Sequence, residues 1–203
     1  MPRFIRLFAL ILALGMPMAA NATEKAGTVS RLKGAAIATQ AGESRALAVG
    51  AEVFIGDRLS TCRDTRIEMN MTDGTILTLG DHSTFILEDY GENRGAVMEL
   101  VQGVLLSVSG SLAKLRDDGM TVRTPVATIG IRGTTFWGGQ ETDRLGVVML
   151  EGTAVTVTTA GGIVELTEPN AGTNVTDATQ APTSPGTWSP ERLAAAQQSV
   201  SFE

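Results

Sequence analysis

The chain has 203 residues, 43% of them hydrophobic and only 4% aromatic, with 16 basic residues against 22 acidic ones, one histidine and one cysteine. A net charge of −6 repels nucleic-acid phosphates, and no Lys/Arg cluster with interleaved aromatics offsets it, so nucleic-acid binding is excluded. One His and one Cys cannot assemble a structural zinc site, and a lone cysteine has no intramolecular disulfide partner.

Arg3 and Arg6 precede an apolar run over residues 7–16, which Pro17 breaks. Ala20-Asn21-Ala22 then offers small residues at the two positions a signal peptidase reads. Residues 1–22 therefore read as a cleavable signal peptide, with the mature chain starting at Thr23. The run falls well short of the ~20 apolar residues that span a bilayer, so no transmembrane segment is expected after cleavage. The mature protein is expected in the periplasm, with the extracellular space as the other destination of an exported chain. Losing Arg3 and Arg6 lowers the basic count from 16 to 14 against 22 acids, a net charge of −8.

From residue 26 to 167 the chain reads as short strands without an amphipathic helix. Arg66-Ile67-Glu68-Met69-Asn70-Met71 alternates polar and apolar without fault, which predicts a strand with Ile67, Met69 and Met71 facing a core. Asp73-Gly74 follows, the strongest short-range hairpin pattern, and a second β-rich run covers 75–79. Further runs fall at 83–87, 98–108, 126–131, 145–150, 154–159 and 163–166, with Gly or Asp at almost every junction. Leu32-Lys33-Gly34, Val101-Gln102-Gly103 and Leu150-Glu151-Gly152 form a weak repeat that predicts glycine corners, where a strand bends and resumes. Their unequal spacing excludes a regular solenoid array. The expected fold is all-β, a rolled sheet of many short strands, β-helix or jelly-roll-like, over residues 23–167. Residues 168–188 have a Thr/Asn/Ala/Gly/Pro linker composition, and 189–203 read as a short helix and tail capped by Ser189 with Pro190 at its first position.

The segments AGTVSRLKGAAIAT, LAVGAEVFIGDRLST, DTRIEMNMTDGTILTLGDHSTFILEDY, VRTPVATIGIRGTTF and VVMLEGTAVTV resemble, in this order over residues 26–166, the FecR domain of bacterial envelopes. The most diagnostic part runs from Arg123 to Phe136. The resemblance implies a periplasmic module whose full-length relatives pass a signal from an outer-membrane transporter to a sigma factor. Those relatives carry a cytoplasmic anti-sigma segment and a transmembrane helix before the domain, where this sequence has the signal peptide. A non-catalytic protein-binding or scaffold module linked to envelope signalling follows, with an envelope protein as partner.

Gly130 and Gly133 are expected at turns or close backbone approaches, Pro125 at the start of a strand, and Arg132 on the outside of one. The candidate interaction surface consists of Arg132 and the acidic turn Glu88, Asp89, Tyr90 and Glu92, where Tyr90 offers an amphipathic ring among acids. A carbohydrate- or cell-wall-associated module is the alternative, resting on Trp137, Trp188 and Tyr90 as stacking platforms. A hydrolase finds no positive feature: His82 sits between Asp81 and Ser83, but triad members converge from separate elements. No cofactor is expected and no metal is assigned: Asp57, Asp73, Asp81, Asp89 and the Asp117-Asp118 pair are the carboxylates open to calcium, but they lie at predicted turns, where Asp is common for backbone reasons, and lack the EF-hand spacing. Cys62 is expected to be a buried small hydrophobe.

Overall fold

The computed structural model describes residues 24–115 and 119–203, so the expected signal peptide and the Asp117-Asp118 pair lie outside the described residues. In chain order the strands begin with β1 Lys25–Lys33, β2 Ala36–Gln40, β3 Glu43–Ala46, β4 Glu52–Phe54, β5 Arg58–Thr61, β6 Arg66–Met71 and β7 Ile76–Leu79. They continue with β8 Thr84–Gly91, β9 Gly95–Gln102, β10 Val104–Val108 and, after the single turn α1 Leu112–Leu115, β11 Met120–Arg123 and β12 Thr128–Gln140. The chain closes with β13 Leu145–Thr159, β14 Gly162–Leu166, β15 Ala171–Val175, β16 Gly186–Thr187 and helix α2 Pro190–Ser199.

Local pattern explains most of these elements. In β6 the three apolar residues are buried and the alternating polar ones lie outside, and Asp73-Gly74 turns the chain so that Met69 faces Leu77. Gly34, Gly103 and Gly152 all have positive φ (84°, 89° and 121°), a conformation closed to most other residues, so the three predicted corners are real bends.

The strands join one sheet in the order β3-β2-β5-β8-β9-β11-β12-β10-β7-β6-β1-β4, with β13, β14, β15 and β16 continuing from β12. Every pairing is antiparallel except β9 with β11. The two ends of the order, β3 and β4, are consecutive in sequence and separated only by residues 47–51, so the sheet rolls back on itself. Arg45 spans that seam: its guanidinium donates to the Glu52 carbonyl at 3.0 Å and to the buried Asp57 carboxylate. Inside the roll lies the main core, which includes Phe85, Leu87, Met98, Leu105, Ile129, Phe136, Val147 and Val157.

A second, smaller core sits on the outside. Phe136 and Trp137 are neighbours on β12 and so point to opposite faces; Phe136 fills the interior, whereas Trp137 joins Val148, Trp188, Ala196 and Val200 beneath α2. This corrects the linker expectation for residues 168–188. Residues 171–175 form β15 on β13, with Ala171, Thr173 and Val175 buried. The loop beyond is tied down by Ala160 N to Ala178 O at 2.9 Å and Thr173 Oγ1 to Thr183 O at 2.6 Å. Threonine hydroxyls satisfied by backbone carbonyls allow a polar, linker-like composition to pack. Helix α2 follows, with Pro190 in its first turn and Ser189 Oγ accepting from Arg192 N at 3.3 Å.

Candidate interaction surface

The stretch from Arg123 to Phe136 builds a hairpin and then a corner. Thr124 closes the β11–β12 turn: its hydroxyl accepts from Ala127 N at 3.0 Å, and its backbone N donates to Ala127 O at 2.8 Å. Pro125 therefore stands inside the turn rather than at a strand start, where its fixed φ suits the second turn position. β12 first pairs with β11 through residues 128–131, then with β10 through residues 135–139. The switch of neighbour happens at Gly133, whose φ of +58° bends the strand. Thr134 seals the bend, its buried hydroxyl bridging Arg132 O at 2.8 Å and the Ala154 backbone at 2.9 and 3.2 Å. Ser109 holds Thr134 from the β10 side at 2.7 and 3.1 Å.

Arg132 precedes this corner, is exposed on the outer face, and is engaged within the chain. Gly130 does not meet the expectation for it. Its φ is not positive, and a Cβ built there would find its nearest neighbour, Thr156 Cβ, at 3.8 Å, an ordinary contact.

On β8 the Glu88 carboxylate pairs with Arg123, and Asp89 takes Arg94 Nε at 2.6 Å and the Tyr90 backbone N at 2.8 Å. Glu92 lies exposed in the β8–β9 turn. Tyr90 corrects the sequence reading: it is 2% exposed, with its ring in the main core. The cause is a β-bulge between Leu87 and Asp89. Phe85 and Leu87 point inward, so an unbroken strand would send Tyr90 outward; the extra residue, Glu88, reverses the alternation. The buried phenol donates to Asp73, which also accepts from Thr75 N at 2.8 Å, Thr75 Oγ1 at 2.9 Å and Leu112 N at 3.0 Å. Burial pushes the Asp73 carboxyl up, but these hydrogen bonds outweigh it and hold the group below the usual carboxylate range. Burial and the Asp73 hydrogen bond both drive the Tyr90 hydroxyl well above its ordinary value, so it remains a donor.

Sheet order brings the remaining site residues together. β8, β9, β11, β12, β13 and β14 are successive neighbours, and Asp89, Val97, Thr121, Gly130, Thr156 and Glu165 stand opposite one another in a single cross-strand row. Glu88 and Arg132 flank that row on the same outer face. The sequence reading missed Thr121, Thr156 and Glu165, because only the register of distant strands aligns them. The alternating threonines of 156–158 were the one local cue.

The carboxylates considered for calcium are engaged by protein groups: Asp57 by Arg45, Asp73 by Tyr90, Asp81 by Arg66 at 3.6 Å and Asp89 by Arg94. His82 is an exposed turn residue with φ of +49°. Trp137 and Trp188, 4% and 5% exposed, are buried like Tyr90, which removes the stacking platforms of the carbohydrate reading. Cys62 is exposed, correcting the expectation of burial: Thr61 takes the inward position at the end of β5, and Cys62 turns outward after it.

Residues 57–155 match the FecR protein family, inside the 26–166 stretch that carries the sequence resemblance. Two crystal structures of a "putative anti-sigma factor" from Parabacteroides distasonis ATCC 8503 share the fold, each with a TM-score of 0.56 at 19% identity. The similarity covers 70% of this chain and 64% of that protein, so the chain spans less than two thirds of its length. No curated protein matches the sequence.

Proposed function

We propose that this chain, whose residues 57–155 form a FecR domain, is a non-catalytic binding module of the bacterial cell envelope, linked to envelope signalling through a protein partner. The observation that supports this reading is the outer face of the β8-β9-β11-β12-β13-β14 strip. It collects Glu88, Asp89, Glu99, Arg123, Arg132 and Glu165 on strands that, apart from the edge strand β14, are held by ladders on both sides, a charged surface suited to orienting a partner.

The test is capture of envelope proteins by the immobilised full chain and its variants. Arg132→Glu and Glu165→Lys are expected to lose a captured partner without lowering the melting temperature. Lys25→Glu, on the far strand β1, is expected to retain it. Equal capture by all three would overturn the reading. Export is tested separately, by mass spectrometry of an osmotic-shock fraction: a mature N-terminus at Thr23 is expected, and an intact residue 1–22 segment on protein in the membrane fraction would refute it.

A further inference from the structure

Gly130 is the one glycine of the 123–136 stretch that neither the backbone nor the packing requires, since its φ is ordinary and a Cβ would have room. Glycine weakens a strand interior and tends to mark a place where a ligand or another chain comes close. Here it floors a depression of about 300 Å³ on the outer face, walled by Thr121, Thr128, Thr156, Thr158, Arg132 and Glu165.

We propose that this depression receives a basic side chain, Lys or Arg, presented by a protein partner, with its stem over Gly130 and its cation at Glu165. This rests on the outer face being the binding surface. Three observations favour a cation. The Glu165 side chain is exposed on β14 and its carboxylate has no ion pair or hydrogen bond within the described residues, whereas Glu88 and Asp89 are already neutralised by Arg123 and Arg94. Gly130, Thr156 and Glu165 stand directly opposite one another, so the floor and the acid are two strand spacings apart, roughly 10 Å. A Lys or Arg stem and a Glu side chain together cover that span, and threonine methyls and hydroxyls suit an aliphatic stem ending in donors. Finally, the chain's net charge of −6 attracts cationic partners over long range.

The experiment is NMR titration of the isotope-labelled full chain with three capped peptides, acetyl-Gly-Arg-Gly-amide and its Lys and Glu counterparts. The Arg and Lys peptides are expected to shift the Gly130, Thr156 and Glu165 amides in a saturable way, and the Glu peptide to leave them unmoved. Glu165→Gln and Gly130→Thr are each expected to abolish the shifts. Should Gly130→Thr fail to fold, Glu165→Gln decides alone. Shifts that persist in Glu165→Gln, shifts from the Glu peptide instead, or none from any peptide would overturn the proposal. Absent shifts alongside capture lost in Arg132→Glu would sink only this inference; capture that survives charge reversal would sink the reading beneath it.

Discussion

Trp188 meets Trp137 edge-on, with ring centroids 5.7 Å apart and planes at 68°, and this contact anchors the C-terminal segment to the outside of the sheet. Arg192 lies 3.5 Å over the Trp188 ring and is fixed by Glu141 at 2.9 Å, while Trp137 Nε1 donates to Ser199 Oγ at 3.0 Å. Trp188→Ala is expected to destabilise the protein by about 3 kcal/mol in urea unfolding, the usual range for a buried tryptophan. It is also expected to raise binding of a hydrophobic dye, because Trp137 and Val148 become accessible. Unfolding that matches the parent would show that the segment adds nothing.

Gly133 and Gly130 separate the two roles of their motif. Gly133→Val forces a β-branched residue to a φ of +58° and is expected to cost about 2–3 kcal/mol, measured by thermal and urea unfolding. Gly130→Thr has room for its Cβ and gains a residue that favours strands, so its melting temperature is expected to equal or exceed the parent's. Equal losses in both would refute the distinction drawn between them.

The Asp73–Tyr90 pair predicts part of the acid sensitivity. Asp73 is held below the ordinary aspartate value of 3.8 in the folded state, so the unfolded state binds the proton more readily and acid favours unfolding. Its stabilising contribution is complete above 3.8 and drains away as pH falls through the lower folded value. The buried Asp57 acts with the opposite sign: burial raises its carboxyl against the pull of Phe54 N and Arg45, so its contribution is greatest at low pH and declines as pH rises. Asp73→Asn is expected to be less stable at pH 7 and to show a flatter acid limb than the parent. Tyr90→Phe, which removes a hydrogen bond to a charged group, is expected to lose about 1.5–3 kcal/mol at pH 7. Unchanged acid limbs in both would mean that this pair does not govern the response.

Exposed Cys62 is expected to react with a thiol reagent in the native protein about as fast as after denaturation. Labelling that waits for unfolding would contradict its placement outside the roll.

Alternation and turn chemistry are local, and the sequence alone therefore determined the β6–β7 hairpin, the glycine corners at 34, 103 and 152 and the Ser189-capped helix. Sterics within a few residues decide such features wherever the segment ends up. The bulge at Glu88 was not legible, because two residues facing one across a ladder is a property of the pair of strands; it turned Tyr90 inward and removed it from the surface. Only the tertiary structure placed Asp89, Thr121, Gly130, Thr156 and Glu165 in one row, since β9 pairs in parallel with β11 across a long connection. It also converted residues 168–188 from apparent linker to a strand on β13 followed by a tied-down loop, because Trp188 needs a second indole, contributed by β12 about fifty residues earlier, before burial can offset the entropy of ordering that polar stretch.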